Sequence, residues 1–167
     1  MTDTFTWHDV VDPEHLELVS SIAEDVWPKT FRSILSEEQI RYMMDMMYSP
    51  DVLKKELDAG VRFEVLFING APSGYISYSP YKGKTAKLHK VYLLQKYHRQ
   101  GIGQLMLNRA ADRCRELGFS RLRLNVNKHN LQAQSAYRRN GYEVVKEEKN
   151  PIGRGFFMDD FVMERTL

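Results

Sequence analysis

Lys87-Leu88-His89-Lys90-Val91-Tyr92-Leu93-Leu94-Gln95-Lys96-Tyr97-His98-Arg99-Gln100-Gly101-Ile102-Gly103 passes from a strand, through a few polar residues, into a helix that opens on Gly-Xaa-Gly. Such a junction is an anion site. The first amides of a helix lack intrahelical partners, the macrodipole adds partial positive charge, and glycines let a ligand approach the backbone. A phosphate or pyrophosphate is the natural guest, although many helices simply begin after a tight glycine turn. Two nucleotide-loop alternatives fail on spacing. The dinucleotide fingerprint needs a third glycine where Met106 stands, and the ATP/GTP loop ending Gly83-Lys84-Thr85 needs a glycine at Tyr78.

Working outward, the preceding residues change period twice. Leu16, Val19, Ile22, Ala23 and Val26 share one helical face, with Asp12 and Pro13 at the start and Pro28 as the expected stop. Ser36 and Gln39 read as a capping box before Ile40, Met43, Met44 and Met47, and a third helix runs from Pro50 to Ala59 and ends at Gly60. Val61 to Ile68 then alternate as a strand, Asn69-Gly70 turns the chain, Ser73 to Pro80 return, and Thr85 to Leu94 form a third strand. Downstream, a helix from Ile102 stops at Gly118 and Leu122, Leu124 and Val126 mark a strand. A short helix follows from Leu131 to Arg139, and strands at Tyr142–Lys146 and Phe156–Met163 close the chain.

The chain has 167 residues, 43% hydrophobic and 28% charged, which suits one domain with its own core spanning 1–167. Twenty-four basic against 22 acidic side chains give a formal +2. That is too weak for a nucleic-acid surface, and the cluster Arg109, Arg113, Arg115, Arg121 and Arg123 reads as a solvated face. The single cysteine, Cys114, excludes an intrachain disulfide and multi-cysteine metal sites, and its place on an apolar helix face argues for a packed thiol. No metal is expected. No apolar run suits a membrane span, and the opening MTDTFTWHDV does not read as a signal peptide. The expectation is a cytoplasmic protein with no membrane partner.

The two separated motifs carry a resemblance. Tyr97-His98-Arg99-Gln100-Gly101-Ile102-Gly103 resembles the acyl-CoA loop of the GNAT N-acetyltransferase superfamily, Arg/Gln-Xaa-Xaa-Gly-Xaa-Gly/Ala, with His98 where arginine or glutamine is commoner. Asn130, Ala133, Tyr137, Gly141 and Tyr142 are similar to its second signature, and together the motifs cover roughly residues 85 to 145. The resemblance implies an α/β (α+β) fold: a twisted, mostly antiparallel sheet of six or seven strands, helices on both faces, and a splay for acyl-CoA between the strands ending at Leu93 and Val126.

It also implies roles. Val91, Tyr92 and Leu93 would line the pantetheine arm, with Val91 and Leu93 making backbone contacts, while His98, Arg99, Gln100, Gly101, Ile102, Gly103 and Gln104 would wrap the pyrophosphate. Asn130 reads as a helix N-cap that also touches the cofactor. Tyr137 is the expected proton donor to the leaving thiolate, against the alternative of a packed aromatic. His89, two residues before Val91 and expected on the same face, is the candidate base, the alternative being water. The tail from Gly153 to Glu164 resembles bacterial proteins similar to polyamine acetyltransferases. Asp159 and Asp160 would attract a cationic amine, or merely solvate a hairpin end, and Tyr42 would face substrate. The implied function is acetyl transfer from acetyl-CoA to a primary amine in a ternary complex. Acetylation of a protein N-terminus or lysine, and a non-catalytic acyl-CoA sensor, stay open, as does a homodimer.

Overall fold

The computed structural model describes residues 2–167. Seven strands form one sheet in the order β1-β2-β3-β4-β5-β7-β6, comprising β1 (Phe5–Asp9), β2 (Arg62–Ile68), β3 (Ala71–Lys82), β4 (Thr85–Leu93), β5 (Arg121–Asn127), β6 (Glu143–Gly153) and β7 (Phe156–Thr166). Among the described residues, only β4 and β5 pair in parallel; all other pairs are antiparallel. A seven-stranded, mostly antiparallel sheet is what the resemblance implied. Helices α1 (Leu16–Phe31), α2 (Glu37–Tyr48) and α3 (Pro50–Asp58) pack on one face with Phe63, Val65 and Tyr75. The opposite face buries Ile76, Leu88, Leu122 and Leu124 under α4 (Ile102–Glu116), with Ala133 and Tyr137 of α5 (Leu131–Arg139) packed at the edge of that core.

Local chemistry explains most boundaries. Asn69 and Gly70 both adopt positive φ (53° and 81°), the conformation a two-residue hairpin with right-handed strand twist demands. Ser36 Oγ accepts from Gln39 N at 3.1 Å, but the Gln39 amide does not return the bond. It donates to Phe157 O at 2.9 Å instead, tying α2 to β7.

Pro28 does not close the first helix as expected: α1 runs on to Phe31, and Arg32 N donates to Pro28 O. Trp27 (2% exposed) and Phe31 (6%) are both buried, so packing on either side of the proline holds the turn that lacks one amide. The closing strands are also longer than the apolar pattern predicts, because β6 and β7 pair with each other well beyond the body of the sheet.

Candidate active site

The site follows from where β4 and β5 stop pairing. Their ladder covers Thr85–Leu88 against Arg121–Leu124, and beyond it the strands part. On its other side β4 stays bonded to β3, with Leu94 N donating to Ser73 O at 2.9 Å. Antiparallel pairing alternates, so Tyr92 and Leu94 turn their backbone groups toward β3. Val91 and Leu93 then present theirs to the gap. One is already used, since Leu93 O accepts from His98 Nε2 at 2.9 Å.

The gap opens into a cleft of about 390 Å³ lined by Val91, Tyr92, Leu93, His98, Arg99, Gly101, Gly103, Gln104, Asn130 and Tyr137, ten of the sequence-derived positions. At its mouth Arg99 and Gly101 are left-handed (φ 61° and 79°), which turns successive amides toward one side. Gly101 is the N-cap of α4 and no side chain caps the helix. A Cβ built on Gly103 would meet no atom within 4 Å, so the space before the first turn is open. This cradle fits a diphosphate. Gln104, however, spends its amide on Asn140 and Asn108, bracing α4 against the end of α5. Gln100 donates to Lys96 O at 3.1 Å, and neither Gln100 nor Ile102 lines the cleft. Ile102 is 4% exposed and belongs to the core.

Asn130 caps α5, its side chain accepting from Ala133 N at 3.3 Å, and it also borders the cleft. Tyr137 is half-buried with its ring 5.7 Å from that of Tyr142. Burial pushes its phenol up to about 12, and its hydroxyl has no hydrogen-bond partner among the described residues. Behind the cleft, Trp27 Nε1 donates to Tyr48 Oη at 3.0 Å, and Tyr48 Oη lies 2.6 Å from Tyr75 Oη.

His89 does not share a face with Val91. The ladder with β3 breaks register between Ser77 and Tyr78, leaving His89 as an extra residue in β4. Leu88 and Val91 both pack on the α4 side, while Lys90 lies over the rings of Tyr48 and Phe63 on the α1 side. His89 lies on the same side of the sheet as Lys90, its Nε2 2.7 Å from Ser79 Oγ, and is outside the cleft lining. Burial first, then the charges of Lys90 and Lys87, lower its pKa to about 4.

Asp159 and Asp160 are divided between the faces, as neighbours on a strand must be. Asp159 lies 3.1 Å from Lys128 Nζ, which itself sits over Phe161 on the α5 side. The same ammonium lies 3.0 Å from Glu147, so one cation is shared between the two carboxylates. Asp160 is 5% exposed on the α1 side, with Asn125 Nδ2 at 3.4 Å and no basic group within ion-pair range among the described residues. Burial raises its pKa. Tyr42 is spent on structure: its hydroxyl donates to Ile152 O, its ring lies 5.6 Å from Phe156, and it pins the β6–β7 hairpin onto α2.

The sequence reading missed the cleft residues Val26, Thr30, Met106, Leu107, Asn125 and Arg139. Asn125 alone carried a signal, since it alternates against the apolar Leu122, Leu124 and Val126. The arginine cluster is largely consumed within the protein, by Glu64, Asp112, Glu116 and Glu164. Cys114 is buried, its thiol pushed up to about 11 by that burial.

The comparison that decides the family is a match of residues 20–142 to the profile of the acetyltransferase (GNAT) family. The chain belongs to the GNAT acetyltransferases. Among curated proteins, it is 28% identical over 156 residues to spermidine N(1)-acetyltransferase of Thermoplasma acidophilum, 91% of each chain being covered. It is 32% identical to bovine thialysine N-epsilon-acetyltransferase over 93 residues, 50% of this chain and 55% of that one. The crystal structure of the PaiA N-acetyltransferase from Thermoplasma acidophilum in complex with coenzyme A superposes with a TM-score of 0.80 at 26% identity, covering both chains completely. This GNAT chain has no helix among the described residues long and apolar enough to cross a membrane.

Proposed function

We propose that this acetyltransferase moves the acetyl group of acetyl-CoA to a primary amine of a small, cationic acceptor within a ternary complex. One observation carries the reading. The gap beside Val91 and Leu93 joins the uncapped start of α4 at one end to Asn125, the amide partner of the buried Asp160 carboxylate, at the other. An anionic coenzyme fits the first end and an ammonium the second. A carboxylate removed from water without a counter-charge is costly, and a bound cation relieves that cost. Similarity to a spermidine acetyltransferase supports a small amine. So does the hairpin strapped to α2 by Tyr42 and Gln39, which limits room for a protein acceptor.

When bound, acetyl-CoA supplies a thioester carbonyl to which the acceptor nitrogen forms a C–N bond as the C–S bond breaks. Val91 N–H faces the gap and polarises the carbonyl oxygen. Tyr137 holds its proton at neutral pH and delivers it to the departing sulfur. The ammonium loses one proton to water before its lone pair attacks. The second proton, shed from nitrogen once the C–N bond has formed, returns through water to the Tyr137 oxygen. His89 lies outside the cleft and takes no part. His89 is exposed at its surface and its pKa is lowered, so the ring is mostly neutral at pH 7 and does not store the proton.

Steady-state rates with acetyl-CoA and a panel of spermidine, a monoamine and a peptide with a free N-terminus test the reading. Turnover on the small amines is expected. Turnover on the peptide alone defeats the small-amine acceptor, and tight coenzyme binding without turnover on any defeats catalysis.

A further inference from the structure

Leu93 ends β4, and His98 follows the single turn Gln95–Tyr97 that leads toward α4. Within this reversal Tyr97 N donates to Leu94 O and His98 N to Gln95 O, each at 3.0 Å. A side chain then closes the loop, with His98 Nε2 lying 2.9 Å from Leu93 O. A carbonyl oxygen only accepts, so Nε2 carries a proton, which both the Nε2–H tautomer and the imidazolium provide. The ring is half-buried and lines the cleft.

Two consequences follow. Leu93 C=O is withdrawn from the groups facing the gap, leaving Val91 N–H for the thioester carbonyl and Val91 C=O and Leu93 N–H for the pantetheine amides. The ring also couples the end of this strand to Arg99, the next residue, whose left-handed backbone begins the diphosphate cradle. A loop without that link would have to be ordered when the coenzyme binds, which weakens binding.

The geometry points to His98 as a positioning residue for the coenzyme: its imidazole locks the end of β4 to the diphosphate loop and leaves phosphate contact to the backbone. This rests on the acetyl-CoA reading above. His98 thereby takes a part in the loop that an anion-binding arginine would not need to play.

The test is calorimetric binding of acetyl-CoA to the parent, His98→Ala and His98→Gln, with steady-state kinetics and nitrogen-15 NMR of the parent imidazole. His98→Ala is expected to bind roughly three- to tenfold more weakly, the net worth of one hydrogen bond. Its KM for acetyl-CoA rises by the same factor, while kcat and the amine KM stay near parental values. His98→Gln, whose amide donates, recovers most of the loss, and the parent shows a proton on Nε2. Equal binding by His98→Ala overturns the proposal, as does a His98→Gln variant no better than alanine at unchanged melting temperature. An Nε2 without a proton overturns it from the parent alone, whether or not the variants fold. A parent that does not bind acetyl-CoA overturns the coenzyme reading and this one together; a parent that binds, with alanine binding equally, overturns only the role of His98.

Discussion

Glu64 on β2 and Arg109 on α4 meet at 2.7 Å, and Arg113, one turn further along the helix, reaches the other oxygen of the same carboxylate at 3.3 Å. Glu64 is 1% exposed, so the pair of guanidinium groups is what makes a carboxylate tolerable inside the sheet. Tyr78 donates to it as well. Glu64→Gln leaves two arginines facing a neutral amide. Both arginines keep some solvent contact, which tempers the loss to about 2 kcal/mol, read from the urea midpoint. Acetyl-CoA affinity of the folded variant should match the parent, because this network lies outside the cleft.

Gly101→Glu attacks the coenzyme cradle in two ways. A side chain at φ 79° strains the backbone by about 1–2 kcal/mol, and a carboxylate faces the diphosphate. Calorimetry should show acetyl-CoA binding at least about tenfold weaker. Unchanged affinity would remove the loop from the site.

Tyr137→Phe should lower kcat about a hundredfold while the KM for acetyl-CoA stays near the parent's, the mark of a lost proton donor. Burial raises the phenol to about 12, and the protonated form is the working one. Activity from this group is therefore full below that value and declines only as pH rises through it. A pH–rate profile between 6 and 10 should show no descending limb that Tyr137→Phe abolishes.

Asp160→Asn should raise the KM for a diamine or polyamine at least about tenfold, since an ammonium loses a charged partner. Its effect on stability has the opposite sign. Folding raises the pKa of Asp160, so the folded state favours the protonated acid. That contribution is full below the unfolded value and is lost as pH rises through the folded one. The variant should therefore melt above the parent at pH 7, with the difference vanishing in acid.

Much of this was legible along the chain. Asn69-Gly70 turns where it should, Asn130 caps α5, and the Gly-Xaa-Gly junction opens the cleft. Such features depend on backbone preferences of a few adjacent residues, and the chain order carries them. Pro28 failed as a stop because its local cost of about 3 kcal/mol is offset by the burial of Trp27 and Phe31, a tertiary gain. His89 was misplaced for another reason. Strict alternation assumes no bulge, and a bulge is visible only in the pairing of β4 with β3.

The amino-acid sequence by itself determined the family, the period of nearly every element and the position of the glycine turn that opens α4, because glycines and capping residues act over a few bonds. Only the tertiary structure decided which groups face the gap. It spent Tyr42 on Ile152, Gln104 on Asn140 and Leu93 O on His98, and it sent Asp159 and Asp160 to opposite faces. The physical reason is competition. A polar group serves the first partner that packing brings within about 3 Å, and that partner often lies far away in the chain.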